Sequence, residues 1–451
     1  MNETVTCDVA IIGAGTAGLE ARRVAEAAGK RAVMIERGPG GTTCASVGCM
    51  PSKLLLAAGR AADRARRAGL FGVHTDAVAV DGAAVMRRLR AERDRFAAGA
   101  RGGWSETPDD LRIEGSARFA GPTTLRIEDG PVVEAGAVVI AVGSRPVVPP
   151  VLDGLGDRVH TYETIFEIAD LPGRLLVLGA GALGLELAQA FSWLGVAVTV
   201  VDAGDVVSKL ADPEAAEVAR TALAESFDLH LGAELESADL ADGAIVLRWT
   251  GGGGEFDLVL AASGVRPELE PLELQAAGLE LDDHGTPSFD ALTRRCGTSA
   301  VFIAGDASPD RPVLHEARLE GEAAGRTVSG GCADSRPPFL SMTFTDPGIA
   351  LVGCDFDDLP DGHRIGRADF ADNGRVRIDE GPDASGVARV YADADGRLIG
   401  GAIVGPEAEH VAHLLAFAVG RGLTAREFLD LPLYHPTVAE VLRGAVRELL
   451  A

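Results

Sequence analysis

Two cysteines, Cys44 and Cys49, are the residues of this sequence best suited to redox chemistry. A disulfide between them would close only a small ring, so it would stabilise the fold less than a bond that closes a long loop. Pro51 suits a first helical turn, and we predict a helix from Pro51 to about Arg67. The positive end of its dipole would favour the thiolate of Cys49. The pair therefore indicates thiol–disulfide exchange rather than a structural crosslink.

A glycine-rich turn near the start of the chain has the spacing of a dinucleotide-binding loop. Gly13, Gly15 and Gly18 follow an apolar strand, Val9 to Ile12, and precede a helical stretch, and the next strand ends in an acid, Glu36. This order of strand, glycines, helix, strand and acid predicts a βαβ unit that binds a dinucleotide.

A second copy of the same pattern lies downstream. Gly179, Gly181 and Gly184 follow the predicted strand Leu175 to Leu178, and the second strand ends at Asp202. In both copies the acid follows the first glycine by 23 residues. One GxGxxG is weak evidence, whereas two copies with the complete context predict two dinucleotide sites.

The acid of the second copy indicates which nicotinamide nucleotide binds. Asp202 would accept a hydrogen bond from a ribose hydroxyl and would repel a 2′-phosphate. The next residues, Ala203, Gly204 and Asp205, supply no cation for such a phosphate. We therefore predict NAD rather than NADP.

Composition excludes several other classes of protein. The formal net charge of −25 repels nucleic acid and anionic lipid, so we predict neither nucleic-acid nor membrane partners. The sequence has neither a long apolar run nor a signal-type leader, and six cysteines in 451 residues are too few for a disulfide scaffold. We predict a cytoplasmic protein.

Taken together, these motifs resemble the FAD-dependent pyridine nucleotide-disulfide oxidoreductases. The resemblance extends over nearly the whole chain, beyond the two glycine loops, in segments at the cysteines, after a buried strand, and near the C-terminus. These segments are Gly41 to Lys53, Gly305-Asp306, Leu314 to Ala317 and Tyr434 to Glu440.

The resemblance implies which residues bind each cofactor. The first loop would bind FAD, with Glu36 on the adenosine ribose and Asp306 on the ribityl chain. The second loop would bind NAD through Asp202. The implied FAD residues are Gly13, Gly15, Gly18, Glu36, Thr43, Gly143 and Asp306, and the implied NAD residues are Gly179, Gly181, Gly184, Asp202 and Gly264.

The resemblance also implies the catalytic residues. Cys44 would exchange with the substrate, and Cys49 would lie against the flavin. Lys53 would pair with Glu186 beside the flavin ring. His435, supplied by the second subunit of a homodimer and oriented by Glu440, would move protons between sulfurs. No metal is implied.

The predicted fold class is α/β, with two Rossmann-like dinucleotide-binding domains, for FAD and NAD, and a C-terminal α+β dimerisation domain. We predict four segments: the first part of the FAD domain, the NAD domain, the second part of the FAD domain and the interface domain. They span residues 1–146, 147–264, 265–335 and 336–451.

Within this family the sequence is similar to the dihydrolipoamide dehydrogenases. It departs from them at Thr43, a second threonine before the cysteine, and at Leu433 and Tyr434, where a His-Ala pair is common. We predict electron transfer between dihydrolipoamide or lipoamide and NAD. The alternatives are an NAD(P)H-dependent reductase of another low-molecular-weight disulfide and a sensor that binds FAD and NAD without turnover.

The remaining cysteines and several histidines are predicted to have no part in the reaction. The cysteines are isolated and are expected to be small buried residues, and the histidines are expected to pack in the fold or at an interface. They are Cys7, Cys296, Cys332 and Cys354, and His315, His410 and His413.

Overall fold

The structure is a computed structural model that describes residues 3–241, 243–332, 335–382 and 384–451. The chain divides into two compact units. The first consists of Met1–Pro51, Arg90–Val147 and Val265–Arg336, and the second of Ser52–Leu89, Val148–Gly264 and Pro337–Ala451.

The strands are short and are distributed over both units. In chain order they are β1 (Thr4–Ile12), β2 (Ala32–Glu36), β3 (Arg112–Glu114), β4 (Ala117–Phe119), β5 (Thr124–Ile127), β6 (Val132–Ile140), β7 (Ser144–Pro146), β8 (Val159–His160), β9 (Arg174–Leu178), β10 (Ala197–Val201), β11 (Asp228–His230), β12 (Leu235–Ala241), β13 (Ala244–Trp249), β14 (Gly252–Phe256), β15 (Leu258–Ala261), β16 (Val265–Pro267), β17 (Val301–Ile303), β18 (Leu340–Thr343), β19 (Gly348–Gly353), β20 (Arg364–Asp369), β21 (Val387–Ala392) and β22 (Leu398–Gly405).

The α-helices alternate with these strands in the glycine-loop units and cover the sheets. They are α1 (Thr16–Ala27), α2 (Thr43–Ser46), α3 (Cys49–Arg67), α4 (Gly82–Ser105), α5 (Ala182–Trp193), α6 (Pro213–Leu223), α7 (Leu314–Val328), α8 (Gly374–Glu380), α9 (Ala408–Gly420), α10 (Ala425–Leu429) and α11 (Val441–Glu448).

A mostly parallel sheet forms the centre of the first unit. Its strand order is β3-β2-β1-β6-β5-β4, and β17 pairs in parallel with β6. Successive residues of β1 face opposite sides: Val9 and Ile11 pack with α1, while Ala10 and Ile12 belong to the core on the other face. Since both faces are covered, the strand is apolar at every one of these positions.

The second unit has a parallel sheet of the same kind, with the order β11-β10-β9-β15-β8. Each glycine loop follows a central strand, β1 in one sheet and β9 in the other. That strand has later strands on both sides, β2 and β6 for β1, and β10 and β15 for β9. Ligands of doubly wound folds bind at the carboxyl ends of strands at such a reversal of order.

The C-terminal part of the second unit is an antiparallel sheet with the order β18-β19-β22-β21-β20. Its core includes Val390 and Ile403 from the strands, Leu415 from α9 and Leu442 from α11. The predicted α/β class with a C-terminal α+β part is confirmed. The four-segment domain division stays a prediction.

Two local features complete the second unit. β13 and β14 form an antiparallel hairpin with Thr250 and Gly251 at its turn, and Gly252 already belongs to β14. The last helix, α11, is preceded by a 3-10 turn, Val438–Glu440.

Candidate functional site

Packing within the first unit requires two of the three glycines of the first loop. Gly13 has a φ of +106°, and a Cβ there would lie 2.3 Å from the carbonyl oxygen of Ala141. A Cβ on Gly18 would lie 2.0 Å from the oxygen of Gly13. At Gly15, the nearest atom to a Cβ would be 3.9 Å away. The middle glycine therefore leaves space into which a diphosphate can approach the backbone.

The second loop repeats this geometry. A Cβ on Gly179, whose φ is +119°, would lie 2.4 Å from the oxygen of Ala262, and one on Gly184 would lie 2.2 Å from the oxygen of Gly179. A Cβ on Gly181 would meet nothing within 4 Å. Both loops thus have the shape that a dinucleotide needs.

Each acid at the end of the second strand holds its loop through the backbone. Glu36 accepts from the N–H groups of Ala14 at 2.7 Å and Gly38 at 2.8 Å. Asp202 accepts from Ala180 and from Gly204, the latter at 2.7 Å. A carboxylate has about four acceptor positions, so each acid retains capacity for a ribose hydroxyl.

The helix N-termini complete the two loops. Neither α1 nor α5 has a side-chain cap or an acidic residue in its first turn. Their first N–H groups and the positive end of the dipole are therefore available to an anion. The residues of both loops fit a diphosphate-containing cofactor.

Three further predicted cofactor residues lie outside the two glycine loops. Gly143 and Gly264 have φ values of +76° and +108°, and a Cβ at either would meet nothing within 4 Å. Asp306 lies in the turn after β17; burial raises the pKa of its carboxyl, and a hydrogen bond from Ser144 opposes the change. A partly buried acid of this kind suits a ligand hydroxyl group.

The two cysteines lie at successive helix starts. Thr42 caps α2 by accepting from the N–H of Ala45 at 3.1 Å, which places Cys44 in the first turn, after the exposed Thr43. Gly48 turns the chain: a Cβ there would be 3.2 Å from the Cα of Cys44. The next helix begins at Cys49, two residues earlier than predicted. Cys49 therefore belongs to the first turn of α3, where the dipole favours a thiolate.

Lys53 and Glu186 form an ion pair in the second unit. Lys53 Nζ lies 2.6 Å from Glu186 Oε2, and the Glu186 side chain is 3% exposed. The other carboxylate oxygen accepts from the N–H of Phe344 at 3.0 Å, and the phenyl ring of Phe344 lies 4.5 Å from the ammonium. The pair predicted from the sequence is thus formed, with Phe344 as a contact that the sequence did not indicate.

His435 and Glu440 form a second pair. His435 Nδ1 lies 3.0 Å from Glu440 Oε2, which also accepts from the N–H of Thr437 at 3.1 Å. That backbone hydrogen bond is the main cause of a lowered pKa at Glu440. The His435 side chain is 79% exposed, so most of the imidazole is open to another molecule.

The structure thus brings each predicted cofactor loop together with its acid. It also forms the two predicted pairs, Lys53 with Glu186 and His435 with Glu440. The cysteines belong to the first unit, and the lysine, glutamate and histidine pairs belong to the second. In the described ranges no group of three or more His, Cys, Asp and Glu residues has the arrangement of a metal site. Nor does any helix of those ranges have the length and apolarity to cross a membrane.

The prediction for the isolated cysteines was partly wrong. Cys296 is buried, and burial raises its pKa to about 12. Cys7 and Cys354 are partly exposed and Cys332 is exposed. Small apolar residues are tolerated at edges as well as in cores, so an apolar type alone did not predict burial.

Sequence reasoning also missed a buried group of charged residues in the first unit. Glu316 and Glu320 of α7 are almost fully buried, as is Arg294. The spacing of the two glutamates, which lie four residues apart and hence on one helix face, was the available signal.

Comparisons with known proteins agree with this geometry. Residues 7–321 match the pyridine nucleotide-disulphide oxidoreductase family and residues 340–446 its dimerisation domain. A dihydrolipoyl dehydrogenase from Halobacterium salinarum is 32% identical, with 98% of this chain and 96% of the relative covered. A mycothione reductase from Mycobacterium tuberculosis is 29% identical, with 98% and 99% covered. The crystal structure of LpdA from Mycobacterium tuberculosis has the same fold, with a TM-score of 0.85, 24% identity, and 99% and 100% covered.

Fold and loops together define an oxidoreductase that uses two dinucleotides. The chain belongs to the pyridine nucleotide-disulphide oxidoreductase family. It is a flavoprotein enzyme, similar to dihydrolipoyl dehydrogenases, with FAD and NAD as cofactors, as predicted. A C-terminal dimerisation domain, also predicted, completes it.

Proposed function

We propose that this enzyme oxidises dihydrolipoamide to lipoamide and reduces NAD⁺, through a disulfide between Cys44 and Cys49. The observation that carries the proposal is the position of the two thiols. Cys44 lies in the first turn of α2 and Cys49 in the first turn of α3, and Gly48 between them packs against Cys44. Such a position favours a reactive thiolate. A substrate dithiol and NAD⁺ give a substrate disulfide, NADH and one proton, so two electrons move and the protein returns to its starting state.

In this proposal the two thiols have different roles. Cys44 forms the mixed disulfide with the substrate, and Cys49 is the sulfur that would lie against the flavin. Bound FAD would supply the two-electron chemistry that links oxidation of the dithiol to hydride transfer to NAD⁺. The residues proposed to hold FAD are Gly13, Gly15, Gly18, Glu36, Thr43, Gly143 and Asp306, and those proposed to hold NAD are Gly179, Gly181, Gly184, Asp202 and Gly264.

Lys53 provides a fixed positive charge for the flavin ring in this proposal. Its ammonium is held by Glu186 and by the ring of Phe344. Glu186 is in turn held by the backbone of Phe344. Because these three contacts fix the side chains of Lys53 and Glu186, the ammonium keeps its position when negative charge develops near it.

His435 acts as the base for the substrate thiols, and Glu440 orients its ring through Nδ1. A neutral imidazole takes the proton of an attacking thiol at Nε2 and returns it to a leaving thiolate. The exposure of the ring supports a role towards the second subunit of a homodimer, where it would serve the cysteines of that subunit.

The proposed substrate class is supported by the similarity to dihydrolipoyl dehydrogenases. A second candidate substrate is mycothione, the disulfide named in the reductase from Mycobacterium tuberculosis. The side chain of Tyr434, 83% exposed and adjacent to His435, is large enough to change what reaches the imidazole. We retain a cytoplasmic location as part of the proposal, because few and isolated cysteines suit a reducing compartment.

Steady-state assays of the purified holoenzyme test this function. We expect NADH formation from dihydrolipoamide and NAD⁺, and a loss of roughly 10³-fold or more in Cys49→Ser, because the hydroxyl cannot form the disulfide. Cys354→Ser is the matched control, a partly exposed cysteine whose thiol donates to the carbonyl oxygens of Asp355 and Asp358. Its rate should be unchanged.

Two results would contradict the proposal at different levels. Undiminished turnover in Cys49→Ser would exclude the disulfide mechanism. Turnover of mycothione or glutathione disulfide with NADH, but none of dihydrolipoamide, would retain the mechanism and replace the substrate.

A further inference from the structure

Six charged residues of the first unit form a partly buried cluster that none of the proposed catalytic steps uses. We call it the arginine–carboxylate cluster. Three arginines balance three acids in it, and Arg294, Glu316 and Glu320 each have side-chain exposures of 1–2%. Burying a charge costs free energy unless the group is paired, so each buried member of the cluster depends on its partners. Its members are Arg294, Arg311, Arg336, Asp310, Glu316 and Glu320.

Glu320 connects this cluster to the turn that carries Asp306. Its Oε2 accepts from the N–H of Gly305 at 2.8 Å and from the hydroxyl of Ser308 at 3.3 Å. Ser308 in turn donates its N–H to the oxygen of Gly305 at 2.8 Å. One carboxylate oxygen therefore accepts hydrogen bonds from both the first and the last residue of the turn, and Asp306 lies between these two residues.

Two guanidinium groups hold Glu320 in place. Arg336 donates to Oε1 at 2.8 Å, and Arg294 lies 3.2 Å from Oε2. Arg294 also donates to the carbonyl of Ile303, before the turn, at 3.1 Å and to the hydroxyl of Ser308 at 2.6 Å. Burial raises the pKa of Glu320 to about 6, so the carboxylate form still prevails at neutral pH.

The backbone of α7 is fixed against α1, the helix that begins at the first glycine loop. A Cβ on Gly321 would lie 2.2 Å from the oxygen of Ala17, and one on Gly325 would lie 2.7 Å from the oxygen of Ala21. A Cβ on Gly305 would itself lie 3.0 Å from the Cβ of Ala17. Glu320 and the turn are therefore placed relative to the same helix.

We propose that Glu320 is a positioning residue for FAD, which holds the turn Gly305–Ser308 so that Asp306 is presented to the cofactor before the cofactor binds. Arg294 and Arg336 fix the carboxylate that does this. The inference rests on the proposed role of Asp306 in binding FAD, and concerns the neighbouring residues that give Asp306 its position.

The rate of FAD release from the holoenzyme tests the inference, followed by the rise of flavin fluorescence after dilution. Glu320→Gln replaces a charged acceptor by an amide, and we expect release to be about tenfold faster, as for the loss of a charge-assisted hydrogen bond. The KM for NAD⁺ should not change. Glu322→Gln is the matched control, a glutamate of the same helix that pairs with Arg326, and its release rate should equal that of the unaltered enzyme.

A merely structural role would give a different result. The apoprotein of Glu320→Gln would then unfold at a lower temperature, while the release of FAD from its folded holoenzyme stayed unchanged, and this outcome would overturn the inference. If Glu320→Gln does not fold, Ser308→Ala decides, because it removes one contact of the same turn. Its release should be about threefold faster, and an unchanged rate would overturn the inference.

Asp306→Asn separates this inference from the proposed function. Faster FAD release in Asp306→Asn together with an unchanged rate in Glu320→Gln would reject only the positioning role. Unchanged release in Asp306→Asn would reject the proposed FAD contact, and the inference with it.

Discussion

At the scale of single residues, the pair of His435 and Glu440 combines two tasks in one carboxylate. Glu440 accepts from the N–H of Thr437 and thereby starts the 3-10 turn Val438–Glu440, and it also accepts from the imidazole. The helix start thus sets the ring orientation. A protonated imidazole next to a carboxylate is also stabilised by charge, which assists each proton transfer.

We expect Glu440→Gln to lower kcat for dihydrolipoamide oxidation by roughly 10- to 100-fold, because the amide cannot stabilise the imidazolium. The KM for NAD⁺ should stay the same. Steady-state kinetics over a range of pH would measure both, and would also show the loss of the carboxylate as a changed pH profile of kcat.

The chain contains a matched control for this substitution. Glu427 forms the same capping box with Thr424 at the start of α10, without a histidine. Glu427→Gln should therefore weaken a capping box as Glu440→Gln does, with the same effect on the free energy of unfolding, but it should not lower kcat. Equal kcat values for the two variants would show that Glu440 has no role beyond capping.

The cluster around Glu320 illustrates what the sequence could not reveal at this scale. The glycines and cysteines were recognisable because their chemistry requires a fixed local spacing. The partners of Glu320 are Gly305 and Ser308 of one turn and Arg294 and Arg336 on either side of it in sequence, and they meet Glu320 only in the folded chain. No local pattern encodes such a meeting.

At the scale of elements, the three glycines of each loop have different functions. Gly13→Ala would place a side chain 2.3 Å from the oxygen of Ala141 at a φ of +106°. We expect it to lower the free energy of unfolding by roughly 2–5 kcal/mol. Gly15→Ala meets no such contact, so the stability of the apoprotein should change by less than about 1 kcal/mol. The FAD content of purified Gly15→Ala should nevertheless fall strongly.

Chemical denaturation of the apoproteins and the absorbance of bound flavin measure these two effects separately. Equal stabilities for Gly13→Ala and Gly15→Ala would contradict this division. So would a full complement of FAD in Gly15→Ala.

The sequence predicted the two glycine-loop units well because strand, turn and helix are each encoded locally there. The segment Gly41 to Lys53, which contains both cysteines, was harder to predict. The short helix α2 was missed, although Thr42 stands in a capping position, because four residues are too few for a periodic pattern. The start of α3 was placed at Pro51 since proline favours the first turn, whereas the turn folded by Gly48 already begins the helix at Cys49.

At the scale of the whole molecule, the exposure of the His435 imidazole bears on the proposal that a second subunit contributes to each site. The cysteines belong to one compact unit, and His435 lies on the surface of the other, in the part that matches the family's dimerisation domain. If the second subunit supplies the histidine, each site takes its thiols from one chain and its base from the other.

Complementation between two inactive variants tests this arrangement. Cys49→Ser and His435→Gln should each be nearly inactive as homodimers. After dissociation and reassociation of an equal mixture, half of the dimers are mixed and each has one intact site, so about one quarter of the unaltered activity should return. No recovery, with mixed dimers demonstrated by differently tagged subunits, would show that thiols and base come from the same chain.

The hydrogen bonds of Glu36 and Asp202 to their own glycine loops have a kinetic consequence. Both loops are held in shape by hydrogen bonds within the chain itself, so a nucleotide does not need to organise a loop as it arrives or to release one as it departs. Because NAD must exchange once in every catalytic cycle whereas a bound flavin stays, this benefit is greatest at Asp202. We expect the encounter with NADH to follow a single exponential whose rate rises linearly with nucleotide concentration, without a plateau imposed by a slow rearrangement.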